Sequence, residues 1–198
     1  MDVVRSVIAF SMPIAWMCLM LNHKAPLRNI NVYTWCLLAL SAMLSVISFQ
    51  WESLGRVLPI IRIVISPLLH ADYLHLCVNT LGGFLVLSRL EETNGLRLTS
   101  AILTAAYVVH VILVAFCVFV LRLPLDVLGL SSIVFAGLGF FVHQIHRDLS
   151  KVQKNAFVSS IVLMVIFEVS VQTILVHCFA LMFGFMLAFL SGKGRESN

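Results

Sequence analysis

An all-α protein that threads a lipid bilayer several times is the fold class this sequence predicts, and three observations predict it. Of 198 residues, 61% are hydrophobic and only 11% are charged, with a mean hydropathy of +1.04. A soluble domain of this size leaves too much surface in water to hide so many apolar side chains. The apolar residues also gather into seven runs, several close to the ~20 residues that cross ~30 Å of hydrocarbon as a helix. Finally, the runs lack the alternation of barrel strands, which leaves helices as the form that satisfies its own backbone in lipid.

The first run, 6–22, follows Arg5 and has the outline of a signal peptide. No small-residue cleavage site follows it and further spans do, so a retained helix is expected. The second run is 32–49. The stretch 50–69 carries Trp51, Glu52, Arg56 and Arg62, and Pro59 and Pro67 interrupt a regular helix, so an interfacial, partly embedded loop is expected there. The remaining runs are 71–88, 98–120, 128–145, 155–171 and 174–192, the last two divided by a short polar gap near Val171–Thr173. There is no repeat, low-complexity linker or second domain. The expected organisation is an extra N-terminal helix with its cytoplasmic loop (1–30), a six-helix body (31–192) and a short cytoplasmic tail (193–198).

The net charge of +4 sits in short loops, which argues against nucleic acid and for loop asymmetry. With seven spans, one set of loops holds Lys24, Arg28, Arg89, Arg97, Arg147, Lys151, Lys154, Lys193 and Arg195, and the other holds Arg5, Arg56, Arg62 and Arg122. The excess places the first set and the C-terminus in the cytoplasm. Cys18, Cys36, Cys77, Cys117 and Cys178 all lie in apolar runs without paired spacing, and read as small hydrophobes.

Against this background His75, Asn79, Ser131 and His177 stand out, because polar groups at bilayer depth are costly and face one another or a wet cavity. His75 and Asn79 are four apart and share a helix face; His70 lies at the mouth of the same helix. Gly129 opens the helix of Ser131, allowing an unusual backbone or a close approach. Ser131 then falls in a first turn, where backbone N–H groups lack intrahelical partners and are free to bind an oxyanion. His177 opens the last run, with Ala180 and Gly184 behind it as small residues for close helix packing. A serine and an imidazole brought together in this way make a nucleophile and its base.

The chain resembles the rhomboid intramembrane serine proteases. The family's His-x4-His-x3-Asn signature is similar to His70-Ala-Asp-Tyr-Leu-His75-Leu-Cys-Val-Asn79, its Gly-x-Ser-Gly motif to Gly129-Leu130-Ser131-Ser132, and its late Ala-His-x2-Gly-x3-Gly helix to Val176-His177-Cys-Phe-Ala180-Leu-Met-Phe-Gly184. Arg62 falls where the family has the Arg of a Trp-Arg pair, and Glu91 and Gly95 where it has Glu-x3-Gly at the end of its second core helix. The resemblance covers about residues 33–192 and implies a six-helix core preceded here by one extra span. It implies Ser131 as nucleophile and His177 as general base and acid. It also implies an oxyanion hole from the Ser131 N–H, His75 and Asn79, with His70, Gly129 and Phe135 in support, Phe135 by packing on the His177 ring. No cofactor or metal is implied.

Some positions depart from the family pattern. Ser132 stands where the family usually has Gly; its hydroxymethyl group is expected to crowd the oxyanion region, to bond to the preceding turn, or to back up Ser131. Val176 and Ala180 replace smaller residues, and Ile61 replaces the Trp. His110, near Tyr107, reads as a buried structural histidine, and His143 and His146 as residues of the cytoplasmic interface. Three histidines do not make a zinc site here, since no His-Glu-x2-His occurs. The expected activity is cleavage of membrane-protein segments in a bacterial inner membrane, with the active site toward the non-cytoplasmic face. The alternative is a non-proteolytic rhomboid-like protein that binds or escorts transmembrane helices. A small transporter lacks the expected inverted repeat and midplane acidic pair.

Overall fold

A computed structural model describes residues 32–50, 59–70, 72–124, 129–146, 149–167 and 170–192. Among them every regular element is a helix: α1 (Val32–Gln50), α2 (Pro59–Ile65) with the 3₁₀ turn Ser66–Leu68, α3 (Tyr73–Phe119), α4 (Ser131–Ile145), α5 (Lys151–Phe167) and α6 (Val171–Leu190). The helix expected at 6–22, the tail 193–198 and Glu168 lie outside the described residues.

α3 begins at Asp72, whose carboxylate accepts the His75 N–H at 2.8 Å as an N-cap. Its 47 residues are divided at Gly95, where φ 73° and ψ 166° leave helical space; glycine adopts such a φ at little cost. In a straight rod Asn79 and His110 stand about 46 Å apart. Yet Asn79 lies against Gly129 and His110 against Ser132, only three residues further along the chain. The two halves, 73–94 and 96–119, therefore fold back on each other, in accord with the two separate runs of the sequence. Asn94 beside the turn exchanges a reciprocal amide pair with Gln144 at the far end of α4, with contacts of 2.7 and 3.2 Å.

Two boundaries differ from expectation. The stretch at 59–68 is helical rather than a loop. Pro59 occupies the first position of α2, where its missing N–H leaves no bond unmade, and Pro67 fits the 3₁₀ turn. The break between the last two helices comes before Val171, not at Val171–Thr173: Ser170 accepts the Thr173 N–H at 3.3 Å and caps α6, so the supposed gap is its first turn. Gln172 and Thr173 bury their polar side chains inside the bundle instead of marking a loop.

α4 is the central element, with every residue from Ser131 to Val142 buried. α3 and α6 pack against it. The interior holds Ser41, Ser45, Ser66, His70, Asn79, Glu91, His110, Ser131, Ser132 and His177, while Ile60, Leu81, Ile112, Met182, Phe189 and Leu190 cover the outside. Most residues in the apolar stretches of α3 and α6 are not buried, unlike the core helix of a soluble protein. Polar side chains inside and large apolar ones outside fit lipid as the surrounding solvent.

α4 and α6 meet backbone to backbone. A Cβ added to Gly184 would stand 1.8 Å from the Ala136 carbonyl oxygen, and one added to Gly139 would stand 2.0 Å from that of Leu181. Backbone cannot yield as a flexible side chain can, so Gly184→Ala forces the helices apart. The expected outcome is a loss of about 2–3 kcal/mol or more, the upper range of overpacking. Thermal unfolding of the detergent-solubilised variant measures it; a wild-type midpoint would show that the contact is not tight.

Candidate active site

The site is assembled at the N-terminal end of α4. Gly129 has φ 106°, a conformation that favours glycine, and donates its N–H to the Ser66 carbonyl at 2.9 Å. A Cβ at Gly129 would stand 2.6 Å from Asn79 Nδ2 and 3.2 Å from His70 Nε2. Gly129 thus serves both a backbone turn and a close approach. The first bond along the helix runs from the Val134 N–H to the Leu130 carbonyl at 2.9 Å, so the N–H groups of Ser131, Ser132 and Ile133 lie before the helical ladder begins.

Ser131 Oγ lies 2.7 Å from His177 Nε2. These residues are 46 apart in sequence, on helices that start at the same end of the bundle, and they are 2% and 0% exposed. When the serine hydroxyl donates to Nε2, the imidazole proton resides on Nδ1. Phe135, one turn after Ser131 on the same face, stacks on the His177 ring with centroids 4.7 Å apart and planes at 23°. His177 belongs to the second turn of α6 rather than its first residue.

Across α3, Asn79 is 3% exposed and its Nδ2 makes no hydrogen bond. His75 lies one turn earlier, and its ring meets the edge of His70 with centroids 5.2 Å apart. His70 is anchored through Nδ1 to Ser45 Oγ at 2.9 Å, while Ser41 and Ser45 both reach the Leu68 carbonyl at 3.2 Å. Ser131, His177 and Phe135 therefore form one contiguous group, and Gly129, Asn79, His70 and His75 a second one joined to it through the start of α4. Among the described residues no group of His, Cys, Asp or Glu has the arrangement of a metal site.

Sequence reasoning missed a third group. Ser132 bonds neither to the preceding turn nor to His177: its Oγ lies 2.5 Å from His110 Nδ1, and His110 Nε2 lies 2.9 Å from Ser66 Oγ. His110 is buried, as expected, but it bridges two other elements. The available signal was that Ser66, His110 and Ser132 are neutral polar residues in otherwise apolar surroundings, each in need of a partner. Ser41 and Ser45, spaced one turn apart in α1, carried the same signal for His70.

A buried serine–imidazole pair at the start of a membrane helix defines a helical integral membrane protein with a hydroxyl-centred site. The family model described as the Rhomboid domain matches residues 58–194, well over half of the chain, and the protein belongs to the rhomboid family. No match to a curated protein or to a solved structure was found.

His70, which precedes the α3 span, has its pKa held down to about 3, first by burial and then by neighbouring His75, with Asp72 opposing. The unfolded chain takes up this proton near pH 6.5 and the folded one does not. Stability from this group is intact above about pH 6.5 and is lost progressively as the pH falls toward 3. The thermal midpoint should fall on going from pH 7 to pH 4, and His70→Gln should flatten the profile. Identical profiles for the two proteins would remove His70 from this role.

Proposed function

We propose that this protein is an intramembrane serine endopeptidase that cleaves transmembrane or membrane-anchoring segments of other membrane proteins. The observation that carries the reading is the 2.7 Å contact between Ser131 Oγ and His177 Nε2 inside the region matched by the Rhomboid family. In a family of generally proteolytic members, that contact supplies the nucleophile and its base.

His177 Nε2 takes the hydroxyl proton as Ser131 Oγ attacks the substrate carbonyl carbon. The oxyanion that forms accepts from the Ser131 N–H and from Asn79 Nδ2, a buried donor with no hydrogen-bond partner of its own. His75 completes this side. His177 then returns the proton to the leaving amine, and the acyl-enzyme remains. Water, deprotonated by His177, attacks the ester, and His177 hands that proton to Ser131 Oγ as the acyl–oxygen bond breaks. Phe135 orients the imidazole by stacking, so ring orientation has a source other than a carboxylate. Gly129 and His70 shape the loop beside the oxyanion.

α4 is 15 residues, about 22 Å against about 30 Å of hydrocarbon. With His143 and His146 at the cytoplasmic interface, Ser131 stops short of the opposite face and lies below the lipid surface. In this reading one extra N-terminal span precedes a six-helix core, the C-terminus is cytoplasmic, and the site opens to the non-cytoplasmic side of a bacterial inner membrane. A substrate helix must unwind to expose a carbonyl, so Gly, Pro and other poor helix formers near the cut favour cleavage.

A fluorophosphonate probe should label the wild-type protein at Ser131 but not Ser131→Ala, and His177→Ala should abolish labelling. Asn79→Ala should cost about 10²–10³ in rate, the usual loss for one oxyanion donor. Labelling that persists in Ser131→Ala overturns the nucleophile. A wild type that never labels favours a rhomboid-like binder or escort of membrane helices.

A separate expectation concerns the substrate. A reporter with a Gly-Pro-containing span should be cut faster than the same reporter with an unbroken poly-Leu span. Equal cleavage of the two, followed by gel mobility, would remove helix unwinding as the selective step.

A further inference from the structure

Ser66 touches the chain on both sides of Ser131. Its carbonyl accepts the N–H of Gly129 at 2.9 Å, two residues before the serine. Its Oγ meets His110 Nε2 at 2.9 Å, and His110 Nδ1 meets Ser132 Oγ at 2.5 Å, one residue after the serine. Ser66 Oγ also donates to the Ile63 carbonyl at 2.8 Å, which uses its only hydrogen. It can then only accept from His110, so Nε2 carries the imidazole proton and Nδ1 is the acceptor. Ser132 must donate to it. The order of donation is Ser132 hydroxyl to His110, His110 to Ser66, and Ser66 to Ile63, with every proton accounted for.

This assignment gives Ser132 an imidazole partner of its own, distinct from the His177 that meets Ser131. Ser132, His110 and Ser66 are all deeply buried. Both imidazole nitrogens are engaged, and the Ser132 hydroxyl hydrogen points away from Ser131. The three residues instead join the 3₁₀ turn, the second half of α3 and the first turn of α4. The position where the family pattern has Gly here carries a hydroxyl that must be satisfied, and His110 satisfies it.

We infer that His110 is a positioning residue: the Ser66–His110–Ser132 chain, with the Gly129 bond to Ser66, brackets Ser131 and sets the orientation of its hydroxyl and backbone N–H toward the reacting carbonyl. This inference rests on the protease reading. Loss of the bracket lets the start of α4 shift by a fraction of an ångström, which weakens attack more than binding, since small misplacements of reacting groups cost up to about 10²-fold.

The test is the kinetics of fluorophosphonate labelling of the full-length protein in detergent, resolved into a maximal rate and a half-saturating concentration. His110→Leu and Ser132→Gly should each lower the maximal rate by about 10–100-fold and leave half-saturation unchanged. The double variant should be no slower than the slower single one, because one shared device has been lost. His110→Asn, whose carbonyl can accept the Ser132 proton, should recover most of the rate. Ser132→Gly restores the residue of the family motif and keeps the test available should His110→Leu fail to fold. Singles within twofold of wild type, or losses that multiply in the double variant, overturn the inference while leaving the protease reading intact. A wild type that does not label overturns both.

Discussion

The approach of α4 to α6 at Gly139 and Gly184 is the constraint on which the rest depends. No hydrophobic gain drives two helices together in lipid, because lipid tails are as apolar as the side chains they would replace. Contact must come from close packing, and here it comes from backbone on backbone, with Ala136 and Leu181 carbonyls where side chains would otherwise stand. The two helices run in parallel from the same end, so contact at their middles sets the distance at their beginnings. Ser131 and His177 stand there. Ala180 and Val176, bulkier than the family residues, are accommodated without opening this gap, since the closest approach lies further along at Gly184.

A second principle governs the polar side chains. Several of those inside the bundle join two elements that are distant in sequence. Thr34 donates to Glu91 at 2.8 Å and ties α1 to the first half of α3; Asn94 and Gln144 join the turn of α3 to α4; Ser45 fixes His70. An unpaired hydroxyl or amide at this depth carries a desolvation penalty of about 1–3 kcal/mol. Pairing therefore selects one register among the many that apolar surfaces alone would permit. Asn79 Nδ2, like Ser88 Oγ and Thr99 Oγ1, departs from this pattern, and it lies beside Gly129 without an acceptor.

Much of this was legible in the sequence, and the reasons differ by residue. The runs at 32–49, 98–120 and 128–145 name their helices because hydrocarbon demands length and apolarity together. Gly95 marked a helix end only through the family resemblance, and the structure gives the reason in its positive φ. The Ser131, His177 and Asn79 set was visible because polar residues are scarce in such surroundings. The boundary at Ser170 was not legible: Gln172 and Thr173 look like a loop by polarity, and only the cap shows that they are a buried first turn. The helix at Pro59 was hidden because proline breaks a helix inside it yet suits its first position. The bridge from Ser66 through His110 to Ser132 was hidden for a topological reason. Its members come from three elements whose adjacency exists only once α3 has doubled back.

The near-complete enclosure of Ser131 and His177 has a consequence beyond geometry. Phospholipid membranes are crowded with carboxylic esters, and an ester is a softer target for an activated hydroxyl than an amide. A serine primed by an imidazole and bare to the acyl chains would be acylated by its own surroundings. Shut within packed helices, the pair is spared that reaction. On the proposed protease reading, a substrate segment must be admitted to this enclosure as well as unwound.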